Sequence, residues 1–196
     1  MAACARPRAS GSSGRIDAEM TGPLQQIEIR PERPGDEEAI AHVHRTAFGG
    51  DAEARLVEAI RSGGDFDPRL SIVAFVANEI AGHILLSHVS IEGENRLTPA
   101  LALAPMAVVP AMQRQGIGSA LVRAGLDACR LERHGLVVVV GHPGYYPRFG
   151  FVEAGALGLH VPFPAPPEAV MVCNLSGPIT RIGGVVRYPD YFLGLD

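Results

Sequence analysis

Apolar and polar residues alternate along Ile27, Glu28, Ile29 and Arg30, the two-residue period of a half-buried strand. Pro31 and Gly35 break the chain, and Asp36 stands where it would cap a helix whose apolar face carries Ile40, Val43, Ala47 and Phe48. After Gly49 and Gly50, Asp51 is placed to cap a second helix with Leu56, Val57 and Ile60 inward, ending at Gly63 and Gly64. Residues 71–77 are β-branched and aromatic. Asn78 and Glu79 then turn the chain into residues 80–91, the strongest hairpin signal in the sequence. Another apolar run covers residues 101–109. Ile117, Leu121, Val122, Leu126 and Cys129 recur at helical spacing as far as Arg133, and His134 and Gly135 close that helix. Residues 136–140 are so uniformly apolar that both faces of the strand must be covered. A tight segment, 141–150, leads to Phe151 and Val152; Gly, Pro and Ala then fill 155–167, and late strands are predicted at 170–175 and 184–188. The order β-α-α-β-β-β-α-β-α-β predicts one α/β (α+β) domain on a mixed central sheet with helices on both faces.

Composition changes this picture only at the N-terminus. Residues 1–14 are dominated by Ala, Arg, Ser, Gly and Pro, and no acidic residue precedes Asp17. A secretory signal would need a continuous apolar stretch, which is missing; a transit peptide shares the composition, but a flexible tail is the simpler reading. We therefore expect a tail at 1–24 and the folded domain at 25–196. With 196 residues and 47% apolar composition the chain is long enough for one well-buried core and short for two. A net charge of −4, a pI near 6.0 and no Lys/Arg-dense run argue against nucleic acid as a partner. Cys4, Cys129 and Cys173 are widely spaced, which suits the reducing cytoplasm and offers no metal or disulfide framework. His42 and His44 stand two apart without a His-Glu-x-x-His pattern, so no metal is expected. No apolar run approaches the ~20 residues of a membrane-spanning helix, and no membrane partner is expected.

The chemistry concentrates where the run ending Val108-Val109-Pro110 passes into Gln113-Arg114-Gln115-Gly116-Ile117-Gly118 and the helix opening at Ser119. Strand, glycine turn and helix N-terminus in that order leave backbone N–H groups unpaired and add the partial positive charge of the helix dipole. The turn alone fits a phosphorylated ligand or a plain strand-to-helix connection. It is no P-loop, because Ser119 follows Gly118 with no Lys. A dinucleotide fold is disfavoured too, since its glycine turn follows the first strand of a βαβ unit, and here a hairpin and a third strand come first.

On these residues the sequence resembles the GCN5-related N-acetyltransferase (GNAT) superfamily. Gln113 to Gly118 match its Arg/Gln-x-x-Gly-x-Gly/Ala signature, and Tyr145-Tyr146-Pro147-Arg148-Phe149-Gly150-Phe151 is similar to its Tyr-x-x-x-Gly-Phe block. The paired tyrosines, Gly141-His142-Pro143 and Tyr188-Pro189 look like the YhbS-like branch, and the likeness covers roughly residues 27–192.

The resemblance implies acetyl-CoA as co-substrate and direct acetyl transfer to a primary amine of a small molecule or protein. It implies two parallel strands, 101–109 and 136–140, that splay around the pantetheine arm. The coenzyme site would then take Met106, Ala107 and Val108 on the strand, with Gln113, Arg114, Gln115, Gly116, Ile117, Gly118 and Ser119 around the pyrophosphate. Tyr146, five residues before Phe151, takes the family's place for the general acid at the coenzyme sulfur; its phenol can give a proton to the departing thiolate. Many relatives carry a Glu base on the strand before the turn, where this chain has Ala104 and Pro105. Pro105, which lacks an N–H, is expected to mark a bulge. Base candidates are then His83 and His88, with Glu92 just beyond, and His142. Asp51 and Glu53 flank the expected acceptor loop. The missing carboxylate also allows a second function, a catalytically weak or inactive acyl-CoA-binding sensor. The acceptor itself is unidentified, and the Gly-, Pro- and Tyr-rich C-terminal end is a possible homodimer interface.

Overall fold

The computed structural model describes residues 26–177 and 182–192, so the expected tail at 1–24 lies outside the described residues. A long antiparallel hairpin organises the rest. Strand β2 (Ser71–Val76) turns at Ala77 and Asn78 into β3 (Glu79–Glu92), which pairs along its length with β4 (Leu97–Val108). Ala77 and Asn78 both have positive φ, 49° and 70°, as a two-residue hairpin turn matched to strand twist requires. The turn thus falls one residue earlier than the sequence predicts, and Glu79 already belongs to β3.

Strand β1 (Glu28–Pro31) adds to the edge of β2, and β5 (Leu136–Val140) lies parallel to β4. Beyond β5 come β8 (Val170–Asn174) and β6 (Val152–Glu153), both antiparallel to their neighbours. Strand β9 (Gly184–Arg187) pairs the far half of β3 and, on its other side, β7 (Leu159–His160). Among the described residues these nine strands make one mixed sheet.

Alternation along β3 divides the two faces. Gly82, Ile84 and Leu86 look toward α3 (Ile117–Leu131); a Cβ on Gly82 would stand 2.9 Å from Leu121 Cδ1, and one on Gly125 would stand 2.9 Å from Leu86 Cδ1. Both glycines let helix and strand approach closely. The opposite face carries Val73 and Leu85, covered by Ile40 of α1 (Glu37–Phe48) and by Leu56, Val57 and Ile60 of α2 (Ala52–Ser62). The mixed sheet with helices on both faces is as the sequence predicts.

Three local expectations change. Phe48 is 50% exposed, and His44 takes its inward place, with Ile40 and Val43, on the buried stripe of α1. The helical period places position 44 on the inward stripe with Ile40, Val43 and Ala47; what the sequence did not show was the partner on the sheet that lets a histidine occupy it. Asp36 and Asp51 stand at helix starts without capping by side chain. Asp36 binds Arg30 at 2.7 Å, and that guanidinium holds its carboxyl below the usual range, while Asp51 accepts from Arg45 Nε at 2.8 Å. The last predicted helix is replaced by a single 3₁₀ turn, Tyr146–Phe149, between β5 and β6. Gly150, at φ 89°, ends it in the left-handed region before it can gain the length a helix needs. Among the described residues no helix is long and apolar enough to cross a membrane.

Candidate active site

The site begins where β4 and β5 part. They pair only at Leu101 with Val137 and Ala102 with Val138. Beyond that point β4 continues for six residues, Leu103 to Val108, with no ladder on its β5 side. Opposite them the register against β3 shifts between Ile84 and Leu86, leaving Ala104 and Pro105 as the extra length of a bulge. Pro105 contributes no donor there, which is why the strand tolerates it.

Strand geometry decides which backbone groups face the fork. Val109 N–H donates to the Ala81 carbonyl at 2.9 Å, so Val108 and Gly82 form a non-hydrogen-bonded pair and Val108's own polar groups point away from β3. Met106, two residues back and opposite Ile84, has the same orientation, whereas the groups of Ala107 turn toward His83. Gln113 Nε2 donates to the Val108 carbonyl at 3.0 Å and ties the following turn back to the strand.

That turn presents a row of amides. The N–H groups of Arg114, Gln115, Gly116, Ile117, Gly118 and Ser119 donate to no acceptor among the described residues; the first helical bond is Ala120 N–H to Gly116 carbonyl, 2.9 Å. Gly116, at φ 91°, caps α3 in the left-handed region and aims the amides outward together. Arg114, Gln115 and Gly116 are exposed, so the row is open to a ligand. Six donors at the positive end of a 15-residue helix make an anion cradle.

Tyr146 stands beyond the end of β5, buried, with its ring 5.1 Å from Tyr145 and 5.5 Å from Phe151. Burial pushes its phenol up to about 12, so it carries its proton across the neutral range. A Cβ on Gly141 would lie 2.4 Å from Tyr146 Cε2, so only glycine leaves room for the ring. Gly141→Ala should therefore cost roughly 1–3 kcal/mol by overpacking, read as a lower urea midpoint; an unchanged midpoint would show that the ring is free to move. Tyr145 is half-buried, and a Cβ on Gly118 would meet its hydroxyl at 2.8 Å, so this ring walls the first turn of α3. Arg148 donates to the Tyr145 carbonyl at 2.9 Å and lies 4.6 Å over its ring, which spends the guanidinium on the 3₁₀ turn.

A cavity of about 300 Å³ opens in the fork, walled by Ala102 and Ala104 of β4, Val138 of β5, Leu56 of α2, and Tyr188 and Phe192. Nothing in the local sequence pattern tied these C-terminal aromatics to the glycine turn. Both are half-buried in the cavity wall, their rings edge to face with centroids 5.1 Å apart.

The histidines singled out from the sequence separate widely. His142 is exposed just past β5, its Nδ1 accepting from Gly144 N–H at 3.3 Å. His88 sits at the closed end of the fork on the α3 face, 5.3 Å from His134, at the helix end opposite the glycine turn. His83 is fully buried, and burial with the neighbouring His44 and Arg61 holds its imidazole well below the usual range. It links two partners: Nε2 meets Ser71 Oγ at 2.8 Å, and Nδ1 meets His44 Nε2 at 2.8 Å. Ser71 Oγ donates in turn to Glu32, whose other oxygen accepts from Arg61 Nε at 2.7 Å. Glu32, Ser71 and His44 carried no sequence signal, since each looks like an isolated polar residue until β1, β2, β3 and α1 are assembled. Glu92 is bound to Arg187 on β9. Among the described residues no group of three His, Cys, Asp or Glu could hold a metal ion.

Comparison with known proteins agrees with this geometry. Residues 28–154 match the sequence profile of the acetyltransferase (GNAT) domain. The uncharacterized N-acetyltransferase YjhQ of Escherichia coli is 38% identical over 159 residues, 79% of this chain and 88% of its own. The crystal structure of the GNAT family N-acetyltransferase YhbS from Escherichia coli in complex with CoA superposes with a TM-score of 0.80 at 30% identity, over 90% of this chain and 97% of that one. A GNAT family acetyltransferase from Brucella melitensis in complex with acetyl-CoA follows at 0.67 and 30%, over 86% and 99%. With the parted strands, the amide row and the profile match coinciding, the chain belongs to the GNAT acetyltransferase family.

Proposed function

We propose that this protein transfers the acetyl group of acetyl-CoA directly to a primary amine of a small molecule or protein, without an acyl-enzyme. One observation carries the reading: six unbonded amides follow immediately on a strand whose outward backbone groups have lost their neighbour. The amides of Arg114 to Ser119 take the pyrophosphate, with Gln113 holding the turn in place. The outward groups of Met106 and Val108 bond the pantetheine amides and the acetyl carbonyl, and Ala107 between them keeps the strand anchored on β3. This positions the carbonyl carbon at the mouth of the fork cavity, where the acceptor nitrogen arrives.

Hydrogen bonds to the carbonyl oxygen stabilise the charge that develops there as nitrogen attacks. Tyr146 then donates its proton to the sulfur as the C–S bond breaks. The two buried thiols, Cys129 and Cys173, favour a reducing compartment, and we place the protein in the cytoplasm on that ground.

The test combines calorimetry of acetyl-CoA binding with thiol release across a panel of small amines and peptides. Binding together with turnover on some amine is the expected result. Binding with no turnover on a broad panel would replace this reading by that of an acyl-CoA sensor, and no binding would remove both.

A further inference from the structure

The two faces of the parted strands carry different things. Leu101 and Leu103 of β4 and Val137 and Val139 of β5 pack with α3, whose N-terminus presents the amide row. Ala102 and Val138 alternate to the opposite face, and the cavity of about 300 Å³ lies there. It reaches Ala104, two residues before Met106, and Val140, the last residue of β5, next to Gly141 on which the Tyr146 ring packs. Val140 and Phe163 are 38% and 41% exposed, so the cavity meets solvent at these two wall residues. A coenzyme held at the α3 end thus leaves the cavity to a molecule that approaches the fork from the other face of the sheet.

The wall is apolar. Small side chains at Ala102 and Ala104 make the space, and Phe163, Tyr188 and Phe192 close one side in a row, with successive centroids 5.4 Å and 5.1 Å apart. Among the described residues no side chain of the wall carries a charge, and burial pushes the Tyr188 phenol up to about 12, so it too is neutral. The acidic residues expected beside a cationic acceptor stand elsewhere: Asp51 accepts from Arg45 at 2.8 Å, and neither it nor Glu53 lines the cavity. A second ammonium on the acceptor would lose its hydration in this space and meet no carboxylate. An apolar ring would gain from area burial and from edge contacts with the aromatic row. A dry cavity of roughly 150 Å³ holds benzene, so this one holds a ring together with a short link to the nitrogen.

Resting on the acetyl-transfer reading above, we infer that the acceptor is a small primary monoamine bearing one aromatic ring, seated with the ring against Phe163, Tyr188 and Phe192 and the nitrogen toward the fork. The nitrogen lone pair forms the N–C bond, and the C–S bond breaks with its electrons on sulfur. Tyr146 protonates the sulfur, the proton shed by nitrogen goes to solvent at the open side of the cavity, and Tyr146 recovers its own from solvent. Amine and thioester thus become amide and thiol with no net proton change. Phe163 lies on the loop between β7 and β8, outside the sheet, and sets specificity at the outer edge of the aromatic row.

Thiol release at saturating acetyl-CoA, compared for phenethylamine, ethylamine, putrescine and a lysine-containing peptide, tests the class. The kcat/KM for phenethylamine should exceed that of each other amine by about tenfold or more, as burial of a ring's apolar surface requires. A smaller ratio, or a preference for the diamine or the peptide, overturns the class and leaves acetyl transfer intact. Phe163→Ala should lower the phenethylamine-to-ethylamine ratio by about threefold or more at unchanged acetyl-CoA Kd, and a ratio that stays put in the folded variant overturns the seat. Hexanoyl-CoA tests the other occupant, because its chain would compete for the same space. It should be a poorer donor to phenethylamine than acetyl-CoA; an equal or better one assigns the cavity to the acyl chain and overturns the inference. A measurement without turnover separates this inference from the reading it rests on: N-acetylphenethylamine should bind the CoA-loaded protein in calorimetry, more weakly after Phe163→Ala. Such binding in a protein that turns over no amine removes acetyl transfer and keeps the ligand class, whereas no binding at millimolar concentration overturns the class whether or not an amine turns over.

Discussion

Tyr146→Phe lowers kcat for thiol release by about a hundredfold or more and leaves the acetyl-CoA Kd essentially unchanged. The substitution removes one oxygen and keeps the ring, so the contacts to Tyr145, Phe151 and the Gly141 backbone persist and the fold has little reason to respond. The amides proposed to hold the coenzyme lie at the N-terminal end of α3, apart from the Tyr146 turn, so binding and chemistry should come apart in this variant. With its phenol raised to about 12 by burial, Tyr146 stays protonated across the neutral range and is available as a hydrogen-bond donor to the charge that develops on the departing sulfur. An unchanged kcat would take the leaving-group role away from Tyr146, while equal losses in kcat and in acetyl-CoA affinity would make the ring a wall of the binding site instead.

Acid should destabilise the fold well before its carboxylates titrate. The folded chain holds His44 and His83 neutral, His44 at about 4 and His83 well below the usual range, whereas an unfolded histidine protonates near 6.5. Below about 6.5 the unfolded state therefore binds protons that the folded state refuses, and the equilibrium moves toward unfolding. The stability is intact above that pH, falls as pH drops from about 6.5 to 4, and for His44 levels off beneath; His44 alone contributes on the order of 3 kcal/mol. Glu32 and Arg61 are the charged groups nearest the pair, and Arg61, itself bonded to Glu32 and Glu58, works in the same direction by repelling the protonated ring. Asp36 and Asp67, held low by Arg30 and Arg69, lose their contribution only at lower pH, so the window stays distinct. Urea midpoints across pH 4–7 measure the effect. A flat profile would mean that water or a counter-charge reaches the pair, and His44→Phe, which leaves His83 buried, should make the profile shallower.

Much of this was legible from residue order. The two-residue period at Ile27 to Arg30, the β-branched run before Asn78 and the helical spacing from Ile117 to Cys129 each report a local preference reinforced by burial. The glycine turn was legible for the same reason, because the conformation that exposes its amides is set by Gly116 and its neighbours. The failures have one physical character. Phe48 looked like core and is half exposed, while His44 is a polar residue fully buried on the inward stripe, because His83 waits for it on the sheet. Asp36 and Asp51 had the chemistry of caps, and arginines brought near by folding claimed them instead.

By itself the sequence determined most of the elements and their order, and the glycine turn whose amides lie open between Arg114 and Ser119. Such features depend on residues a few positions apart, and backbone conformation is a local property. The tertiary structure decided the rest. It parted β4 from β5, drew Tyr188 and Phe192 to the fork, and joined Glu32, just past β1, with Ser71, His83 and His44 of β2, β3 and α1 into one hydrogen-bonded chain. A buried polar contact between residues 39 positions apart, as between His44 and His83 or Glu32 and Ser71, leaves no period in the sequence; only the packing of helix on sheet creates it.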